Sequence, residues 1–150
     1  MIAVIQRVTQ AKVSIEEKVA GKIGNGFMVL LGITHDDTQA DVEWLSKKIV
    51  NLRVFSDAED KMNLSLLDVE GEILLVSQFT LHASTKKGNR PSYNDAAKPE
   101  LAIPLYESMI EALSNKLGKQ IQTGEFGAMM DIDLVNNGPV TIIIDSKEKK

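Results

Sequence analysis

Three short stretches hold more polar side chains than a strand end or a turn needs: Ser77-Gln78-Phe79-Thr80-Leu81-His82, Lys86-Lys87-Gly88-Asn89-Arg90-Pro91-Ser92 and Asn136-Asn137-Gly138-Pro139-Val140-Thr141. The first offers a hydroxyl and an imidazole. Thr80 and His82 share one face if a strand continues past Gln78, and a threonine hydroxyl beside an imidazole is a pairing suited to nucleophilic catalysis. A serine-hydrolase triad fits less well, because Ser77 lacks the glycine-flanked elbow and no acidic residue close in sequence would orient the imidazole. The competing reading is structural: threonine suits a strand by its β-branched shape, and a histidine at a strand end is commonly half-exposed. Lys86, Lys87 and Arg90 make a positive cluster suited to one or two phosphates, or simply to solvating a loop. Gly138-Pro139 reads most simply as the turn of a closing hairpin. The two histidines, His35 and His82, form no HExxH-type pair, so no metal and no other cofactor is expected.

Periodicity defines the elements that must position these stretches. IAVIQRV, KVSI, AGKIG and GFMVLLGI read as a strand meander, with Gly24, Asn25 and Gly26 as punctuation. GFMVLLGI is apolar on both faces, which predicts a strand enclosed between a sheet partner and a second layer. Val42, Leu45, Ile49 and Leu52 predict a helix over about 39–52, opened by Thr38 and Asp41 in the manner of a capping box. Arg53 to Phe55 suggests a short strand, and the apolar run from Glu72 to Gln78 a longer one that delivers the first polar stretch at its end. The loop from Ser84 to Lys98 has the length of loops that bind something. Leu105, Met109, Ala112, Leu113 and Leu117 predict a second helix over about 100–117 with Gly118 beyond its end; Pro104 implies a start near 101–103 or a bend. DIDLVNN and VTIIID are predicted to close the chain as an antiparallel pair. The expected fold class is α+β (mixed α/β): stacked, mostly antiparallel sheets or an open barrel, covered by two helices on one side.

The chain has 150 residues, 43% hydrophobic and 25% charged, which suits a single domain. That domain is expected over 1–145, with SKEKK at 146–150 as a disordered tail. The absence of cysteine removes disulfides and thiol chemistry and leaves the cytoplasm as the expected location. The apolar opening is too short for a secretory or membrane-spanning segment, so no membrane is expected. A net charge of -4 argues against a grip on long nucleic acid through its phosphates. No DNA partner is expected, whereas a small contact with RNA stays open.

Taken together, MIAVIQRV, KMNLSLLDVEGEILLVSQFTLHA, KKGNRPSYNDAA, TGEFGAMM and LVNNGPVTI resemble the D-aminoacyl-tRNA deacylases, from residue 1 to about 145. The diagnostic motifs are SQ with an aromatic and a threonine, here Ser77 to Thr80, and NxGPxT, here Asn136 to Thr141. The resemblance implies hydrolysis of the ester between a D-amino acid, or glycine, and the 3′-terminal ribose of tRNA. It implies a homodimer in which Gly138 and Pro139, joined by a cis bond, enter the partner's pocket and exclude the L-enantiomer by shape. It also implies that Gln78 and the N–H groups of Phe79 and Thr80 hold the ester carbonyl and that Ser77 fixes that arc. Ala102, Phe126 and Met129 would line the pocket, while Lys86, Lys87 and Arg90 would meet phosphates near the RNA 3′ end. No dependable base stands beside Thr80, which favours water activated with help from the neighbouring ribose hydroxyl. His82, where many members carry an aromatic, and Asn89, where they often carry a basic residue, depart from the pattern. A non-catalytic RNA-end or nucleotide-binding module and a small esterase using Thr80 are the alternatives.

Overall fold

The computed structural model describes residues 1–150. The first strand, β1 (Ile2–Ile15), is continuous where two short strands were expected. Its first half pairs antiparallel with β3 (Gly26–Gly32), its second half with β2 (Lys18–Ile23), and β8 (Asp131–Asp145) runs along its other edge. On the far side of β3 lies β6 (Glu72–Ser77), followed by β7 (Gln122–Thr123), and both of these pairings are parallel. Parallel neighbours need a crossover, and here each crossover carries a helix. α1 (Gln39–Asn51) lies between β3 and β6 in the chain, with the small hairpin β4 (Phe55–Ser56) and β5 (Met62–Leu64) after it; α2 (Pro99–Leu117) lies between β6 and β7. The expected α+β class with two helices on one side is what forms. The sheet is mixed, and β2 approaches β6 and β7 closely enough to make it a nearly closed barrel.

Alternation assigns the two faces of this sheet to two cores. Ala3 and Ile5 of β1, Phe27, Val29 and Leu31 of β3, and Ile73 and Leu75 of β6 pack against α1 and α2 in a cluster of 23 buried residues. Val8, Ala11, Val13, Met28, Leu74 and Val76 fill the inside of the curl with Ile23. Burial on both faces is the reason GFMVLLG is uniformly apolar. β1 stays in step with these cores because its register against β8 shifts between Val8 and Gln10, so that Ala11 and Val13 join Val8 on the inner face.

Two helix starts repay comparison with their sequence. The Asp41 carboxylate accepts the Thr38 N–H at 2.8 Å, the reciprocal half of the expected capping box. α2 begins at Pro99, earlier than Pro104 suggested; Pro99 occupies the first turn, where its missing N–H costs nothing, and Pro104 sits on the exposed face inside the helix. The expected disordered tail is corrected at its first two residues. Ser146 is buried, its N–H donates to Met1 O at 2.9 Å and its hydroxyl to Asp41 at 2.6 Å, while Lys147 pairs with Asp41 at 3.1 Å. A terminal segment with no apolar face is held here by hydrogen bonds and charge. No helix is long and apolar enough to cross a membrane.

Candidate active site

The expected strand does not continue through the first polar stretch. β6 ends at Ser77, paired with Leu31, and the Gln78 N–H donates to Leu31 O at 2.8 Å; Phe79 to His82 then turn as one 3-10 helix. This helix lies directly on the end of β3. A Cβ at Gly32 would stand 2.9 Å from Leu81 Cβ and 3.1 Å from Gln78 O, so a residue without a side chain is what admits the turn. The turn also separates Thr80 from His82. The Thr80 hydroxyl accepts a hydrogen bond from Gln78 Nε2, and His82 Nε2 is buried with no hydrogen-bond partner. The reading of Thr80 and His82 as neighbours on one strand face is therefore corrected.

Ala102 and Tyr106, one turn apart on α2, are buried behind this strand end. The Tyr106 hydroxyl donates to Leu75 O at 3.2 Å, and its ring lies 5.8 Å from that of Phe126. Burial pushes the Tyr106 phenol up to about 12, which keeps it a protonated donor at any physiological pH. Tyr106 thus ties Phe126 and the Ala102 turn of α2 to β6 at Leu75, two residues before Ser77. Met129 does not pack there: it is 91% exposed. Lys86, Lys87 and Arg90 are exposed on a loop whose base is closed by Ser84 and Ser92, N–H to O at 2.8 and 2.9 Å in both directions.

The third stretch is not the turn of a hairpin. β8 is one strand along β1, and between Thr141, opposite Gln6, and Asn136, opposite Val8, it carries extra residues that bulge outward. Asn137, Gly138 and Pro139 form the exposed tip, with the Gly138–Pro139 bond cis and Gly138 at φ +125. The bulge is braced from both ends. Asn136 Oδ1 accepts the Val140 N–H at 3.1 Å and Asn136 Nδ2 donates to Thr141 Oγ1 at 3.0 Å. Arg7 Nε donates to Asn137 O at 3.1 Å while its Nη1 donates to Val54 O at 2.5 Å. Arg7 went unremarked in the sequence, although a cation next after Ala3 and Ile5 on the core face of a strand is a signal of a built contact. Over the sheet, Gly138 and Ser77 are separated by three strand spacings, ~14 Å, and by about four residues, ~13 Å, along the strands. Within one chain the two motifs do not meet.

Two larger clefts lie away from Gln78. One of about 330 Å³ is lined by Lys12, Lys22 and Asp133, and another of about 450 Å³ lies between Trp44 and the Ile142–Asp145 end of β8. Gln78 is half-buried and Phe79 beside it is exposed.

A solved structure titled c-Myc DNA Unwinding Element Binding Protein superposes with a TM-score of 0.92 at 44% identity, covering 97% of this chain and 98% of that one. A family model described as D-Tyr-tRNA(Tyr) deacylase matches residues 4–145, and the chain belongs to that family. Relatives named D-aminoacyl-tRNA deacylase include those of Flavobacterium psychrophilum, 59% identical, and Cytophaga hutchinsonii, 61% identical, each covering 100% of both chains.

Proposed function

We propose that this chain is a hydrolase that cleaves the ester between a D-amino acid, or glycine, and the 3′-terminal ribose of tRNA, and that it acts in the cytoplasm as a homodimer. The activity is carried by the family match over 4–145 and the full-length identity to D-aminoacyl-tRNA deacylases. The dimer is supported by the placement of the motifs. Gly138 and Pro139 stand exposed and braced but remote from their own Gln78, and a braced, exposed tip with no site of its own chain to meet fits delivery to a second copy.

In this reading, the ester carbonyl rests against the Phe79 and Thr80 N–H groups with Gln78 beside them. Water adds to the carbonyl carbon, and the oxyanion that forms is held by those donors. The bond from carbon to ribose oxygen then breaks, with the neighbouring ribose hydroxyl relaying a proton to the leaving oxygen. Thr80 is a poor nucleophile here, since its hydroxyl is engaged by Gln78 and no base reaches it. Ala102 and Phe126 border the amino-acid side, and an L side chain would run into the partner's tip. Handedness is read by exclusion, so glycine escapes it. The net charge of -4 weighs against a grip on DNA.

The test is ester loss from tRNA charged with D-Tyr, L-Tyr or Gly. Loss from the D and Gly forms with the L form intact is expected. Equal loss from D and L, or none from either, would refute it. A terminal nucleotide without the free neighbouring hydroxyl should lose most of the activity.

A further inference from the structure

α1 keeps one face out of the core. Val42, Leu45 and Ile49 are buried, which leaves Trp44, Lys47, Lys48 and Asn51, three and four positions apart, together on the outer face. Trp44 is the only tryptophan in the chain and is half-buried; Lys48 Nζ and Lys149 Nζ lie 5.6 and 4.8 Å from the centroid of its ring. Two clefts share Trp44, Lys48 and Leu52 as a wall. One, of about 450 Å³, runs to β8 and Lys150, and the other, of about 600 Å³, to Lys47, Asn51 and Arg53. Lys47, Lys48, Arg53, Lys149 and Lys150 thus gather about one indole, and none of them makes a salt bridge. Asp145 and Glu148 line the first cleft and offset part of this charge, so the face stays positive on a chain whose net charge is -4. The negative end of the helix dipole accounts for Lys48 in the last turn of α1. It does not account for Arg53 beyond the helix, for the two terminal lysines, or for an indole left among them.

We propose that this face of α1 is a separate RNA-contact surface, which holds the body of a tRNA whose 3′ end is seated at the neighbouring copy's site. The inference rests on the deacylase and dimer reading and deepens it by a contact outside both motifs. The far wall of the first cleft is Ile142 to Asp145 of β8, and Pro139 lies three residues back on the same strand, ~10 Å away. Tip and patch are therefore parts of one braced strand, and any site that the tip enters has the patch beside it. The ester sits at the end of a polyanion, so the chain leading away from it meets cations favourably, each phosphate contact releasing counterions. The ring selects among polyanions. An indole among lysines stacks on a base while the ammonium groups meet phosphates, whereas an acidic peptide uses the charges alone. The patch positions the RNA and touches no reacting atom.

Trp44 supplies the probe, because no other tryptophan contributes to the emission. Titration with uncharged tRNA should quench the tryptophan fluorescence, and an oligonucleotide of the 3′ end alone should leave it unchanged. With Lys47→Gln and Lys48→Gln combined, the slope of log Kd against log salt should become shallower by about two. On D-Tyr-tRNA the double variant should raise KM roughly 10-fold with kcat unchanged, and on D-Tyr carried by the short oligonucleotide it should match wild type. Both lysines are exposed, so the fold is not at stake. Binding of tRNA without quenching, an unchanged salt slope, or an equal rise in KM on both substrates overturns the surface. So does equal quenching by polyglutamate, which would make the face a dock for an acidic protein. A shift in the variant's sedimentation with tRNA binding intact overturns it too, by making the face a subunit contact. A wild type quenched by tRNA that hydrolyses no D-Tyr-tRNA sinks the deacylase reading and keeps the surface; hydrolysis without quenching does the reverse.

Discussion

Arg7 shows how much of this site depends on single side chains whose partners are remote. Its planar guanidinium spans Asn137 O and Val54 O, which lie 130 and 47 residues away. A lysine carries its three donors on a single nitrogen and cannot span both acceptors as Nε and Nη1 do. Arg7→Lys is expected to lower D-Tyr-tRNA deacylation at least 10-fold and to raise the relative loss of L-Tyr-tRNA, measured as initial rates on the two substrates. At Thr80 the expectation is the opposite: Thr80→Val should keep the rate within about 10-fold, while Gln78→Ala should lose ~10²-fold or more, as removal of an oxyanion donor does. Residues of this kind divide by legibility. Ser77 to Thr80 and Asn136 to Thr141 were visible because polar groups crowd the edges of apolar runs. The use of Arg7 was not, because nothing local in IAVIQRV names an acceptor so far along the chain.

At the scale of elements, the sequence indicated both helices and the buried strands, and it erred where an apolar run changes conformation without changing composition. The strand expected over 72–78 left FTLH open to continuation, yet FTLH turns as a 3-10 helix because Gly32 leaves a space for it on β3. DIDLVNN and VTIIID read as a hairpin, yet both halves find β1 instead, and Asn137 to Pro139 is expelled as a bulge. In each case the deciding partner is a distant strand, and periodicity carries no information about that. The Gly32 contact makes a direct prediction. Gly32→Ala must displace Leu81 or Gln78, at a cost of about 1–3 kcal/mol in stability by denaturant titration. The turn that carries the Phe79 and Thr80 N–H groups shifts with them, so kcat should fall further than a matched loss of stability elsewhere, such as Val29→Ala, would produce.

For the whole molecule, the beginning and end of the chain are joined through one acidic pair. The Met1 ammonium contacts Asp37 at 2.7 Å with both groups fully buried, and Asp41 collects Ser146, Thr38 and Lys147. Burial opposes the Asp41 charge, but these hydrogen bonds and the Lys147 charge outweigh it and hold its carboxyl at about 2, below the ordinary 3.8. A depressed folded-state value means stability that is present above pH about 4 and lost as pH falls toward 2. Asp41→Asn should therefore lower Tm at pH 7 and narrow its gap to wild type as the pH is brought down to 2. The same scale contains the central claim, that selection for D substrates needs Gly138 and Pro139 from a neighbouring copy. Mixing Pro139→Ala, which should hydrolyse D- and L-Tyr-tRNA alike, with the slowed Gln78→Ala under conditions that exchange subunits tests it most directly. If the tip acts across the interface, an equal mixture loses about half of the L-Tyr-tRNA hydrolysis and keeps the D-Tyr-tRNA hydrolysis, because half of the sites with an intact Gln78 then face an intact tip. L-Tyr-tRNA hydrolysis that stays at the level of Pro139→Ala alone would contradict the account.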